Sequence, residues 1–278
     1  MKLYHYTKFE TFVSYILPEL QLRFNPFSGC NDPFEFFISC EFGINSFTIK
    51  YYQEFANEYT KQLNEYRFIC FSKDKDRRKS NGFKLPTMWA HYGQNHNGIC
   101  IELDSNKLDY SRFKRDAIKR KSVRYSRKNS IGTINSHFPQ KHINETIEEY
   151  IHRGILNCVK AWESSSLFTK LPDWRIENEY RVVHKSADQK DEYLDISNAI
   201  TAVYLGVRAS NKKNESQKLK ILELLIDEKN KDRKEKIELN ILYNEVTDGE
   251  NKLDFYIWKN YQRASNNNKL MVKGEAKK

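Results

Sequence analysis

The spacing of apolar positions at the start of the chain predicts a strand, a helix and a second strand in succession. Residues 4–7 are β-prone, and residues 9–17 place their apolar side chains on one helical face. We expect Pro18 to end this helix. Residues 20–24 then alternate between apolar and polar side chains, which is typical of a half-buried strand.

The same two periodicities continue along the rest of the chain. Helices are predicted over residues 51–66, 86–92, 143–162 and 212–230, the last with Leu219, Leu222, Leu225 and Ile226 as its apolar side. Strands are predicted over residues 67–72, 98–103, 179–183 and 201–205. Residues 264–278 lack apolar periodicity, so we expect them to be disordered. The mixture predicts an α+β protein.

Composition limits the classes of protein that remain. Aromatic residues make up 14% of the chain, so large rings should form much of the core. No apolar run could span a bilayer and residues 1–5 do not open a signal peptide, so we expect a cytoplasmic protein without membrane contact. The five cysteines include no Cys-x-x-Cys pair, and we predict neither disulfides nor a metal site; Cys70 and Cys100 should be small buried hydrophobes.

The chain has a formal net charge of +10. Positive charge is concentrated in residues 105–130, which contain ten Lys or Arg residues and only two Asp. Tyr110, Phe113 and Tyr125 are interleaved with these charges. Such a segment offers phosphate contacts and stacking surfaces to nucleic acid. We predict a basic helical insert near residues 105–165 whose nucleic-acid contacts, to RNA rather than DNA, come from Lys119, Arg120, Lys121 and Arg124. A solvated charged surface is the alternative.

Three features of the chain could carry chemistry. His5 lies in the first predicted strand, where a histidine is more often structural than catalytic. Glu177 and Glu179 precede an apolar strand, and two glutamates at i and i+2 of a strand should share a face and raise each other's pKa. Met88–Tyr92 places two aromatic residues and a histidine on one helical turn, which taken alone favours a core role.

The order of these features resembles the ADP-ribosyltransferase superfamily. In that superfamily a His-Gly-Thr or His-Gly-Ser strand precedes a helix and an arginine-bearing strand, as His5-Tyr6-Thr7 here precedes a predicted helix and Leu22-Arg23-Phe24. Asn178-Glu179-Tyr180-Arg181-Val182-Val183 resembles the superfamily's last motif, which carries the catalytic glutamate. With Glu177, it also fits the Glu-x-Glu variant of the arginine-modifying branch.

The full series of motifs resembles an uncharacterised bacterial domain family more closely. The shared motifs are His-Tyr-Thr at 5–7, Asn-Asp-Pro-Phe-Glu at 31–35, Cys-Phe-Ser at 70–72, Met-Trp-Ala-His-Tyr at 88–92 with a later His and Gly, and Glu-x-Glu-Tyr-Arg at 177–181. The resemblance implies a single catalytic domain over residues 1–263, in which two small packed β-sheets form an NAD cleft. It also implies a bacterial toxin or phage-defence effector, with an antitoxin as a further partner.

The resemblance assigns roles to individual residues. Glu179 would stabilise the positive ribose of NAD, and Glu177 would orient or deprotonate the acceptor. His5 would bind the adenosine-side ribose, and the backbone of Tyr6 and Thr7 would hold the nicotinamide amide. Tyr6 stands where the superfamily has glycine, which crowds that side. The remaining NAD contacts would come from Arg23 and Asn25 at the pyrophosphate and from Ser72 or Tyr92 as the middle-motif residue, with Tyr92 stacking on nicotinamide.

These assignments predict a mono-ADP-ribosyltransferase that uses NAD as its substrate and no metal. The acceptor would be nucleic acid in preference to protein. Two other functions fit the same residues: an NAD glycohydrolase, for which water is the acceptor, and a non-catalytic nucleic-acid-binding module. A nuclease fits less well, because the acidic residues show no metal-ligand spacing.

Overall fold

The computed structural model describes residues 1–30, 48–74, 82–126, 140–186, 191–209, 215–245 and 254–257. The helices are α1 (Phe9–Thr11), α2 (Leu17–Glu19), α3 (Thr48–Leu63), α4 (Pro86–His91), α5 (Ile147–Ser166) and α6 (Glu215–Asn230). The strands are β1 (Lys2–Thr7), β2 (Gln21–Arg23), β3 (Asn25–Pro26), β4 (Tyr66–Lys73), β5 (Ile99–Asp104), β6 (Ile118–Ser122), β7 (Arg124–Tyr125), β8 (Thr169–Lys170), β9 (Glu179–Lys185), β10 (Tyr193–Asp195), β11 (Ile200–Leu205), β12 (Glu238–Glu245) and β13 (Asp254–Ile257).

These elements confirm the α+β class. Strands β1, β4, β5, β9 and β11 and helices α3 to α6 lie within a few residues of their predicted positions. Seven strands in the described part of the chain were not predicted: β3, β6, β7, β8, β10, β12 and β13. The motif at residues 31–35 and the predicted disordered tail at 264–278 lie outside the described residues.

The first helical segment differs from the prediction at its end. A π-helical turn at Phe12–Ile16 joins α1 to α2, and Pro18 lies inside α2. Proline lacks the backbone N–H that would continue the helical hydrogen bonds, and the segment extends only two residues beyond it. The segment ends instead at Leu20, whose φ of 51° places it in the left-handed region.

The basic stretch is not helical, so this part of the predicted insert is wrong. Lys119, Arg120 and Lys121 lie on strand β6 and Arg124 lies on β7. Strand β6 pairs antiparallel with β9, with Lys121 opposite Arg181. Of the predicted insert, α5 is helical. The charges hid the strand because they replace the apolar alternation by which a strand is recognised.

The chain divides into two compact units, each built from segments that are separate in the sequence. Unit 1 comprises Met1–Leu22, Phe71–Tyr110 and Leu194–Lys278, and unit 2 comprises Arg23–Cys70 and Ser111–Tyr193.

Unit 1 is organised around the strand order β13-β12-β11-β5-β1-β4. Neighbouring strands are antiparallel except β11 and β12, which are parallel. Its buried cluster is aromatic, as the composition predicts: the rings of Phe83 and Tyr204 stack with centroids 4.2 Å apart. Helix α6 buries Leu219, Leu222 and Ile226, whereas Leu225 is exposed, contrary to prediction.

Residues 66–70 of β4 belong to unit 2, where β9 lies between β4 and β6. Helices α3 and α5 supply most of its buried core, which also contains Phe68 of β4 and Val183 of β9. Burial of these side chains fixes the position of β9, the strand that carries Glu179 and Arg181. The same core therefore positions the charged residues described next.

Candidate functional site

Four charged side chains of unit 2 are buried together. Lys170 ends β8, Glu177 ends a 3-10 helix at Pro172–Glu177, and Glu179 and Arg181 lie on β9. The exposed fraction is 6% for Lys170, 3% for each glutamate and 0% for Arg181. Two positive and two negative charges balance, and their mutual attraction offsets the large desolvation penalty of burying them.

Short contacts join the four groups into one network. The ammonium Nζ of Lys170 lies 2.8 Å from Oε2 of Glu177 and 2.8 Å from Oε2 of Glu179. On the other side, Nε of Arg181 donates to Oε1 of Glu179 at 2.7 Å. Nη1 of Arg181 donates to the carbonyl oxygen of Leu167 at 2.9 Å. Each oxygen of Glu179 therefore has its own cation.

The backbone between the two glutamates explains how both reach one lysine. Glu177 belongs to the 3-10 helix rather than to the strand, so the predicted i, i+2 strand pair is wrong. Asn178 follows with a φ of 46°, a left-handed conformation that asparagine adopts more readily than most residues. This turn brings Glu177 and Glu179 to the same ammonium.

The network keeps Glu179 ionised. Burial opposes its ionisation, but the charges of Arg181 and Lys170 and the hydrogen bond from Arg181 outweigh burial and hold its pKa well below the usual range. The expectation that the two glutamates raise each other's pKa is therefore wrong for Glu179. Its carboxylate carries a fixed negative charge at neutral pH.

Two further residues position Glu179 and were missed in the sequence. The backbone N–H of Glu179 donates to the hydroxyl of Tyr125 at 2.8 Å, and the thiol of Cys70 hydrogen-bonds to its carboxylate. Cys70 is half-buried rather than fully buried, whereas Cys100 is buried as expected. Tyr125 lies opposite Lys170 where β7 pairs with β8. Tyr125 and Lys170 belong to no motif that was recognised in the sequence, so their contacts with Glu179 become apparent only in the folded structure.

The predicted NAD contacts on β1 belong to unit 1. His5 is half-buried, and its ring lies 5.8 Å from that of Phe71. Tyr6 is buried, its ring packs edge-on against Trp89, and its hydroxyl donates to the carbonyl oxygen of Gly82. The side chain of Tyr6 is therefore a core element. Thr7 is also buried. The contact of NAD with the backbone of Tyr6 and Thr7 stays a prediction.

The two candidates for the middle motif also lie in unit 1. Ser72 is fully buried opposite Tyr4, and its Oγ has no hydrogen-bond partner within the described residues. Tyr92 is half-buried and packs at the margin of the aromatic cluster. Met88 and Trp89 are buried, so the core role is confirmed for that part of the helical turn.

The other predicted site residues lie in unit 2 with Glu179. Arg23 and Asn25 are exposed, and Nη2 of Arg23 lies 3.2 Å from Asp191. The ammonium groups of Lys119 and Lys121 lie over the rings of Tyr66 and Phe168. Arg120, Lys121 and Arg124 are exposed, whereas Lys119 is half-buried. Strand β6 ends the strand order, and lysines on an edge strand also deter pairing with another chain.

The described residues contain no group of three or more His, Cys, Asp or Glu side chains arranged to bind a metal ion. None of the helices in the described ranges combines the length and apolar character that crossing a bilayer requires.

Comparison with known proteins gives one similarity. No curated protein and no solved structure matches the chain. Residues 88–182, which include Tyr92, the basic strand (residues 118–125, which form β6 and β7) and all four members of the buried network, are similar to the family described as "Protein of unknown function (DUF2971)".

Proposed function

We propose that this chain is an NAD-dependent ADP-ribosyltransferase in which Glu179 stabilises the ribosyl cation. The fixed negative charge of Glu179 is the observation that supports this function best. A cation that exists only in the transition state is stabilised most by a charge that is already in place and does not need to reorganise. Arg181 and Lys170 hold Glu179 in this form.

The proposed reaction uses both glutamates. The bond between ribose C1′ and the nicotinamide nitrogen breaks, and its electron pair leaves with neutral nicotinamide. Positive charge develops on the ribose ring, as in glycoside cleavage, and Glu179 stabilises it. The acceptor forms the new bond to C1′ and gives its proton to Glu177. We also propose an ADP-ribosyltransferase-like fold and a contact of His5 with the adenosine-side ribose of NAD.

The proposal is tested by incubating the full-length protein with NAD labelled in its adenosine half. Separate reactions contain RNA, DNA and protein pools, and nicotinamide release and acceptor labelling are measured together. We expect nicotinamide release with label transferred to RNA. Release without labelling of any pool would indicate an NAD glycohydrolase instead.

A second candidate function is a non-catalytic nucleic-acid-binding module. It is favoured by the 3% exposure of Glu179 and by the cation on each of its oxygens, which together are typical of a structural ion network. Under this function, RNA would bind but no nicotinamide would be released with any pool.

Nucleic-acid binding is expected to depend on the exposed arginines of the basic strand. Changing both Arg120 and Arg124 to Glu should weaken RNA binding, because each phosphate contact releases a counterion. Loss of two contacts should reduce the slope of log affinity against log salt by about 1.4 for single-stranded RNA. Affinity is measured by filter binding or fluorescence anisotropy over a range of salt concentrations.

The matched control changes the exposed Lys141 and Lys160 to Glu, which alters net charge equally outside the basic strand. An equal change in slope for both double variants would show that bulk charge, rather than this strand, binds RNA. An unchanged slope for Arg120→Glu with Arg124→Glu would mean that the strand is a solvated surface.

A further inference from the structure

The ammonium of Lys170 occupies a cage of three side chains. Glu177 and Glu179 each place a carboxylate oxygen 2.8 Å from Nζ, and the ring centroid of Trp174 lies 5.5 Å from it. Carboxylates combined with an aromatic face are the groups that proteins use to bind organic cations. The cage is therefore built for a positively charged group, and the structure fills it with the chain's own lysine.

The two carboxylate oxygens of Glu179 have different partners, so one oxygen can hold the side chain in place while the other binds a cation. Oε1 accepts from Arg181, whose side chain is fully buried, whereas Oε2 contacts Lys170. If Lys170 left the cage, Arg181 would still bind Oε1 of Glu179 and hold the side chain in place. Oε2 would then face whatever cation replaced the ammonium.

The position of Lys170 is suited to such an exchange. Its four-carbon stem has several rotatable bonds, and its strand β8 is only two residues long. Trp174 is half-buried, so one wall of the cage reaches the surface, whereas the carboxylates do not. Charge also favours replacement by a single positive charge, because removal of Lys170 leaves the network with a net charge of −1.

We infer that Lys170 is a tethered occupant of an organic-cation site formed by Glu177, Glu179 and Trp174, and that the positively charged nicotinamide end of NAD, with its ribose, replaces it. This inference rests on the proposed function for the identity of the natural ligand. Lys170 thus keeps the negative charge of Glu179 paired with a cation until substrate arrives. The exchange of one monovalent cation for another leaves the buried network balanced throughout.

Chemical rescue tests the site without NAD. The variant Lys170→Ala removes a propylammonium-sized group, and propylammonium chloride should restore it. We expect the melting temperature of this variant to rise by several degrees, with saturation, as propylammonium is added. Wild type should not respond, because its site is filled. Sodium chloride at the same ionic strength and neutral 1-propanol are the ligand controls.

Two further variants keep the test decisive. Should Lys170→Ala be unfolded in sodium chloride, refolding in propylammonium chloride but not in sodium chloride gives the same answer. Lys170→Ala combined with Glu177→Gln restores charge balance, so it should fold without amine and lose most of the response. The exposed Lys160→Ala should show no response at all. Equal stabilisation of Lys170→Ala by sodium and propylammonium would overturn the inference.

An NAD experiment separates this inference from the proposed function. In Lys170→Ala, propylammonium should inhibit nicotinamide release in competition with NAD. If propylammonium stabilises Lys170→Ala but neither wild type nor any variant releases nicotinamide, the cation site is supported and ADP-ribosyl transfer is rejected. Nicotinamide release from wild type without any rescue of Lys170→Ala would preserve the reaction and reject the role given to Lys170.

Discussion

Replacing Glu179 with Gln should slow nicotinamide release from NAD by about 10²–10³-fold, which is the usual cost of losing one preorganised electrostatic partner in a transition state. Glutamine keeps the size and hydrogen-bonding reach of the side chain but removes its charge. Affinity for NAD should fall far less than the rate, because the positive charge of bound NAD lies on the nicotinamide ring and moves to C1′ only in the transition state. Rates of nicotinamide release and NAD binding are measured for variant and wild type.

Glu177→Gln is the matched control. Glu177 contacts the same lysine ammonium at the same 2.8 Å distance and has the same exposure, so both variants disturb the network's charge equally. We expect Glu177→Gln to reduce acceptor labelling more than hydrolysis to free ADP-ribose. Thermal melts of both variants identify losses caused by unfolding. Nicotinamide release by Glu179→Gln at the wild-type rate would refute the role of Glu179.

Replacing Arg181 with Met should destabilise the protein by about 3–5 kcal/mol, which is typical when one partner of a buried ion pair is removed. Arg181 is fully buried, donates to Glu179 and to the carbonyl oxygen of Leu167, and lies 5.4 Å from the ring of Phe68. Methionine retains much of the apolar volume, so the loss reports mainly the charge left on Glu179. Urea unfolding measures the change in free energy.

The double variant Arg181→Met with Glu179→Gln provides the control for this prediction. It removes one charge of each sign, so Lys170 and Glu177 still balance each other. We expect it to be less destabilised than the sum of the two single variants, because no buried charge remains without a counterion. Strict additivity of the two losses would show that Arg181 and Glu179 do not interact energetically.

The part of the fold that follows local patterns could be predicted from the sequence. Strand β9 was recognisable because Val182 and Val183 continue an apolar run after Glu179, and burial of such a run is its main source of stability. Strand β6 was not recognisable. Strand β6 pairs with β9, while four of its five side chains are lysine, arginine or serine and only Ile118 is apolar.

The buried network shows where sequence reasoning ends. Glu177 and Glu179 were identified because they adjoin each other in a motif. Lys170 and Tyr125 could not be identified, because their importance arises only when β7 and β8 pair and face the start of β9. The sign of the pKa shift of Glu179 depends on those neighbours. Sequence therefore predicted the two carboxylates but not the cations that lower the pKa of Glu179.

The division into two interleaved units has a consequence for synthesis on the ribosome. Unit 2 ends at Tyr193, whereas unit 1 also needs β11 and β12, which lie beyond that residue. As the chain emerges from its N-terminus, every segment of unit 2 is available while β5 still lacks its neighbour β11. The buried charge network can therefore assemble before unit 1 is complete, and translation order favours early folding of unit 2.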